Sequence, residues 1–169
     1  YQHIFHDYTR LNAVLSICSL IALSILEKEN QERLYIKLHN LLSLIANNDK
    51  TWINQLIKLE LYILSITGFG LELNKCTVTE NTHNLKYISP RTGKAVSLEA
   101  GKQYENKLFP LLEIFVKHKN TIDIEESIQA FDILTHFLEK HILPLKNSTM
   151  PLYRHAMLET LKRQQINIE

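Results

Sequence analysis

Glycine and proline are scarce in this chain, with four of each in 169 residues. A β-sandwich or barrel would need a turn signal every ten residues or so, which this supply does not provide. Cysteine is scarcer still: Cys18 and Cys76 form neither a disulfide framework nor a complete metal site, and a reducing cytoplasm is the natural compartment for such a chain. Charge of one sign is not in excess either. With a formal net charge of +1, no global field draws in nucleic acid, and any contact with it must come from local patches. Long hydrophobic runs are missing. The most apolar stretch, 11–26, is shorter than the roughly 20 residues that span a bilayer and contains Asn12, Ser16, Ser19 and Ser24, so a buried helix is expected and no membrane association. The chain starts on Tyr1 with no signal-peptide pattern and reads as a fragment of something longer. No P-loop, G-x-G-x-x-G, G-x-S-x-G or paired-carboxylate motif occurs, so no enzymatic activity, cofactor or small-molecule substrate is expected.

What the chain does have is apolar residues, 45% of the total against 22% charged, at helical spacing. From about Asp7 or Thr9, positions Leu11, Val14, Leu15, Cys18, Ile21, Ala22, Ile25 and Leu26 form one stripe, with Leu20 and Leu23 outside it; a helix apolar on more than one face is expected to lie deep. Asn30 is a plausible cap for a second, amphipathic helix built on Leu34, Leu38, Leu41, Leu42 and Ile45. After Asn47, Asn48 and Asp49, a third helix buries Trp52, Ile53, Leu56, Leu59, Ile63 and Ile66 and ends at Gly68 and Gly70.

Between Leu73 and Lys107 the pattern changes to short β-prone runs at 77–79, 85–89 and 94–97. The segment 108–119 is apolar but interrupted by Pro110 and is expected to be an irregular or short helical connection. Asp123 and Glu126 form a capping box that opens a helix with Ile128, Phe131, Leu134, Leu138 and Ile142 inside, closing at Pro144. A last helix starts at Pro151, with Leu152, His155, Leu158 and Leu161 expected inward and Arg154, Lys162 and Arg163 toward solvent. The predicted fold is mainly α: an orthogonal helical bundle, one domain over 1–169, with a small β-prone insertion at 73–107.

Eight histidines raise the possibility of a metalloenzyme. In HFLEKH, however, His136 and His141 are five residues apart, which turns their rings roughly 140° from one another, whereas H-E-x-x-H keeps both on one face. His3 and His6 are better spaced but have only Asp7 as a neighbouring carboxylate. Around the β-prone insertion, Lys75, Lys86, Arg91, Lys94, Lys102 and Lys107 are interleaved with Tyr87 and Tyr104, a composition that can contact phosphates and stack bases. Glu72, Glu80, Glu99 and Glu105 share the stretch and dilute it.

KLELYILSITGFGLELNKCTVT (58–79) followed by YISPRTGKAVS (87–97), then HFLEKHIL (136–143) and PLYRHAML (151–158), resembles the C-terminal domain of the bacterial DNA repair protein family RecO. In that family a helix ends in a Gly-aromatic-Gly turn, followed by a Cys and a Ser-Pro-x-x-Gly segment. Many members carry a C-x-x-C…C-x-x-C zinc site here. The resemblance lays its four positions on Cys76, Thr79, Ser97 and Ala100, so three of the four ligands are gone and no zinc is expected in a loop that is degenerate zinc-finger-like. The loop is then expected to be held by β pairing and by packing of Val78, Tyr87, Ile88 and Val96.

The resemblance further implies an N-terminal oligonucleotide-binding fold of about 80 residues that is absent from this chain. It implies a non-enzymatic mediator of recombination, acting in the bacterial cytoplasm and at the nucleoid during repair. Such a mediator binds single- and double-stranded DNA, mostly through the N-terminal fold, and works with RecR to load RecA. The helical part would hold the acidic, apolar-ended C-terminal tail of single-stranded DNA-binding protein. The family's basic residue for that tail falls on Lys58, where relatives have Arg, and the Arg of the final helix falls on Arg154; Leu59 and Leu152 would wall the slot. The rival expectations are a structural scaffold for the N-terminal module and, last, a histidine-based metalloenzyme.

Overall fold

The computed structural model describes residues 7–25, 31–118 and 121–166, with side chains described as far as 163. His3 and His6, the proposed cap Asn30 and the stripe residue Leu26 lie outside the described residues. The fold is mainly helical, with a small antiparallel sheet.

Helix α1 (Tyr8–Ser24) begins where Asp7 accepts hydrogen bonds from the backbone N–H groups of Thr9 and Arg10. Its buried face is Thr9, Ala13, Ser16, Ile17 and Leu20, not the predicted stripe; Cys18 and Ala22 are exposed. Both faces are apolar enough to be chosen, and the smaller side chains of Ala13 and Ser16 mark the face along which the chain can pack closely. Helices α2 (Glu32–Ala46) and α3 (Trp52–Ile66) follow. Helix α2 buries Leu34, Leu41 and Ile45 as its spacing predicts. Helix α3 buries Trp52, Ile53, Leu56, Leu59 and Ile63 of its predicted stripe and leaves Ile66 partly buried. It adds Asn54, Ile57, Glu60 and Leu64, because it is the central element and packs against α1, α2, a short helix α5 (Glu113–Val116) and a long helix α6 (Ile124–His141). It stops at Thr67, and Gly68 takes a left-handed φ of 87° that an L side chain resists.

The 77–79 run is a turn and not a strand, and Val78 is 67% exposed instead of packed on the helices. The other two runs pair as β1 (Leu85–Ile88) and β2 (Ala95–Ser97), with Ile88 opposite Ala95 and a register shift between Leu85 and Tyr87. A short helix α4 (Leu98–Gly101) leads into a 3-10 segment, Lys102–Lys107. Strand β3 (Phe109–Pro110) then joins the other edge of β1, giving the order β2-β1-β3. Ile88 is fully buried in the main core, and the Phe109 ring meets Phe137 and His136 edge-on, so the sheet docks on α6.

After the short helix α5 (Glu113–Val116), α6 (Ile124–His141) starts at Asp123, which accepts from the Glu126 N–H. The Glu126 carboxylate accepts from the Ile114 N–H, so it caps α5 across space. All five predicted inward residues of α6 and its C-cap are buried. Helix α7 (Leu152–Ile166) lies along α1 and against α6. Its predicted orientation needs correction: Leu152 is 84% exposed and His155 exposed, while Arg154 is buried with Met157, Leu158 and Leu161.

Candidate partner and nucleic-acid surfaces

Arg154 is only 1% exposed and Glu60, facing it from α3, is wholly buried. The guanidinium donates to the Glu60 carboxylate, to Thr135 Oγ1 (2.8 Å) and to the Phe131 carbonyl (3.0 Å), and it lies over the Phe131 ring. Burial pushes the Glu60 carboxyl up, while the charge and hydrogen bond of Arg154 pull it back. A cation so fully engaged joins α3, α6 and α7 and has no donor turned to solvent. Leu59, expected as a wall of the tail slot, is fully buried core. Neither residue is therefore placed to meet a tail at the surface, and Leu152, at the exposed start of α7, has no part in a slot with them.

Lys58 sits elsewhere. Two residues from Glu60, it points to the less covered side of α3, since such a step turns about 200° around a helix. There it lines a concavity of about 160 Å³ with Leu44, Asn54, Gln55, Ile114 and His118. Partial burial pushes its ammonium pKa down. Among the described residues Lys58 forms no ion pair, so the pocket offers a cation, the Gln55 amide and two apolar walls, while Asn54 Nδ2 donates to the Thr121 carbonyl at 3.1 Å. Neither Arg154 nor Leu152 lines it.

In the insertion, the four positions laid on the zinc ligands stay together. The Cys76 side chain is buried, and its Sγ accepts from the N–H groups of Val78 (3.4 Å), Thr79 (3.5 Å) and Ser97 (3.2 Å). Ser97 Oγ accepts from the Ala100 N–H at 3.4 Å, so the hydroxyl caps α4. Two tight turns thus face each other, bridged by one sulfur as acceptor. Burial pushes the Cys76 thiol up, and hydrogen bonds from Ser97 and Thr79 outweigh it, bringing the pKa down to about 6. Among the described residues no three His, Cys, Asp or Glu side chains cluster where a metal could be held.

The six predicted DNA-contacting cations divide. Lys94 pairs with Glu72 at 3.0 Å, and Lys75, Lys86 and Lys102 are exposed on separate parts of the insertion. Arg91 and Lys107 share one open concavity of about 850 Å³, whose other walls include Val78, Val96, Tyr104 and Leu108. The turn bearing Arg91 is fastened to α6: Lys140 Nζ donates to the carbonyls of Pro90 (2.9 Å) and Arg91 (2.6 Å). His136 Nε2 lies 3.0 Å from the same Pro90 oxygen, which can only accept, so that nitrogen carries the hydrogen.

A family model described as Recombination protein O C terminal matches residues 5–149. The chain belongs to the RecO family. It is 32% identical to a DNA repair protein RecO of Wolbachia pipientis subsp. Culex pipiens over 163 residues, 94% of this chain and 67% of the relative. Against the RecO of Ehrlichia chaffeensis the identity is 35%, covering 79% of this chain and 57% of the relative, and against that of Rhodospirillum centenum 31%, covering 95% and 64%. No solved structure gives a significant match. DNA repair is the role of the RecO family, and this chain takes that role. Among its described residues no helix is long and apolar enough to cross a membrane.

Some residues that shape the interior and the surfaces of this RecO chain escaped sequence reasoning. Glu60 had a signal: it falls one turn after Leu56 and three residues before Ile63, inside the apolar stripe of α3. Asn54 and His118 beside Lys58 had none, because the pocket joins segments far apart in the chain.

Proposed function

We propose that this chain is the helical part of a non-enzymatic recombination mediator, a single domain with 73–107 as its insertion, which docks protein partners. The tail of single-stranded DNA-binding protein sits at the Lys58 pocket, and RecR is the second protein partner. The insertion adds contact to single- and double-stranded DNA, most of which comes from an N-terminal module. The protein works in the cytoplasm and at the nucleoid. The observation that carries the tail site is the Lys58 pocket itself: a half-buried cation with no described ion pair, beside apolar walls from Leu44 and Ile114. An acidic tail ending in an aromatic needs these two features together, a cation for its carboxylates and an apolar slot.

Titration of the chain with an acidic peptide ending in Phe tests this. Saturable binding is expected, weakened roughly tenfold or more by Lys58→Ala, about the value of one charge-assisted hydrogen bond. Lys58→Arg, which restores a planar fork, should tighten it. Burial of Arg154 and Leu59 favours a second reading, that the bundle is chiefly a scaffold. Absence of saturable binding, or an affinity indifferent to Lys58, would decide for the scaffold.

A further inference from the structure

The concavity shared by Arg91 and Lys107 has a composition unlike the rest of the insertion. Its cations come from two different elements, Arg91 from the turn between β1 and β2 and Lys107 from the end of the 3-10 segment. Among the described residues no carboxylate lines it, although Glu72, Glu80, Glu99 and Glu105 are all nearby in sequence. Glu72 is engaged by Lys94, and Glu105 lies at the Tyr87 hydroxyl. The apolar surface is just as particular. Val78 and Tyr104 stand 67% and 51% exposed at its edge, and Val96 and Leu108 lie beneath.

Apolar side chains left open to water beside two cations that no described carboxylate opposes suit a ligand that is flat and apolar on its faces and anionic at its ends. An unstacked nucleobase with its flanking phosphates is such a ligand. Tyr104 is the stacking platform: it stands at the kink of the 3-10 segment, where its backbone leaves helical geometry, and its side chain and that of Lys107 line the same concavity. Gln103, in the same wall, brings an amide that can pair with a base edge. A duplex keeps its bases stacked and could fill this site only by extruding one against its stacking and pairing. We infer that the concavity between the 77–79 turn, the Arg91 turn and the 3-10 segment is a single-strand site that holds one unpaired base on Tyr104, with phosphates at Arg91 and Lys107. This rests on the reading that the insertion contacts DNA. It makes the degenerate zinc loop the element that tells single strands from double.

Fluorescence anisotropy of the 169-residue chain tests it with three labelled probes: a short oligothymidylate, a strand of abasic sites of equal length, and a duplex. Oligothymidylate should bind about tenfold tighter than the other two, within the range of one base–aromatic stack. Tyr104→Ala should remove that preference and leave abasic binding unchanged, while Tyr104→Phe should retain it. In a salt titration Tyr104→Ala should keep the wild-type slope, and Arg91→Ala or Lys107→Ala should each flatten it, because only these release counterions. Equal binding of all probes, or a Tyr104→Ala chain that still prefers oligothymidylate, overturns the base site. If Arg91→Ala then still weakens binding, phosphate contact by the insertion survives on its own. No binding of any probe overturns both. Displacement of oligothymidylate by an acidic Phe-ended peptide, lost in Arg91→Ala, would make the concavity a peptide groove and also overturn the proposal.

Discussion

Glu60 on α3 and Arg154 on α7 meet in the interior of the protein, 94 residues apart in the chain, with the guanidinium also held by Thr135 and the Phe131 carbonyl. Removing one partner of such a pair leaves the other charge buried and unmatched, which costs about 3–5 kcal/mol. Arg154→Ala should therefore lower the urea midpoint of unfolding by roughly 1.5–2.5 M, at a typical slope of about 2 kcal/mol per M. Replacing both, as Glu60→Leu with Arg154→Met, should recover most of the loss, since apolar side chains of similar volume dispense with two desolvation penalties. A midpoint for Arg154→Ala close to that of the unaltered chain would show that the pair contributes little.

The acceptor role of Cys76 gives the insertion a pH dependence. Its thiol lies at about 6 when folded and returns to the ordinary thiol range when unfolded. A group with a depressed folded pKa stabilises the fold fully above its unfolded value and ceases to do so as pH falls through the folded one. Thermal unfolding temperature should thus rise between pH 6 and 9, and Cys76→Ser should flatten the rise. Thiolate absorbance should show one titration near 6 and a second above the ordinary range from Cys18, which burial pushes up. Two coincident titrations in that upper range would mean that the three N–H donors do not act on the sulfur as described.

Gly101 is required by contact, not by backbone conformation. A Cβ there would stand 2.4 and 2.9 Å from ring carbons of Tyr87 and 3.1 Å from Leu108. Gly101→Ala should cost about 1–3 kcal/mol, the usual range for overpacking, and Tyr87→Leu should relieve much of it in a double-mutant cycle. Additive losses would place the strain elsewhere. Gly68→Ala is the complementary case, in which a Cβ would meet no described atom within 4 Å beyond the adjoining chain but φ is 87°, and its loss should be insensitive to Tyr87.

The amphipathic helices α2 and α6 were legible because each shows one apolar stripe against a polar background. Helix α1 was legible as a helix but not in its orientation: two apolar faces compete, and which one is covered depends on α7, more than a hundred residues away. Arg154 was misread because a charge in a helix is ordinarily assigned to solvent, and nothing local to α7 announces Glu60. The β1–β2 pairing followed from residue type, while the 77–79 run became a turn because Cys76 gathers the N–H groups of Val78 and Thr79 that a strand would need. Backbone donors have no sequence signature. Of the candidate surfaces, the sequence pointed to Lys58, Arg91, Lys107 and Tyr104 singly, while the residues that share a concavity with each are selected by the tertiary fold alone.

The clasp of Lys140 and His136 on the Pro90 and Arg91 carbonyls has a mechanical consequence. The Arg91 turn cannot swing as a free flap. A load applied to its guanidinium passes through two carbonyls into α6, the same helix whose Thr135 and Phe131 hold Arg154. A ligand that grips Arg91 only in the folded chain therefore braces the bundle as well as the insertion. By mass action its occupancy must raise the resistance of α6 to unravelling.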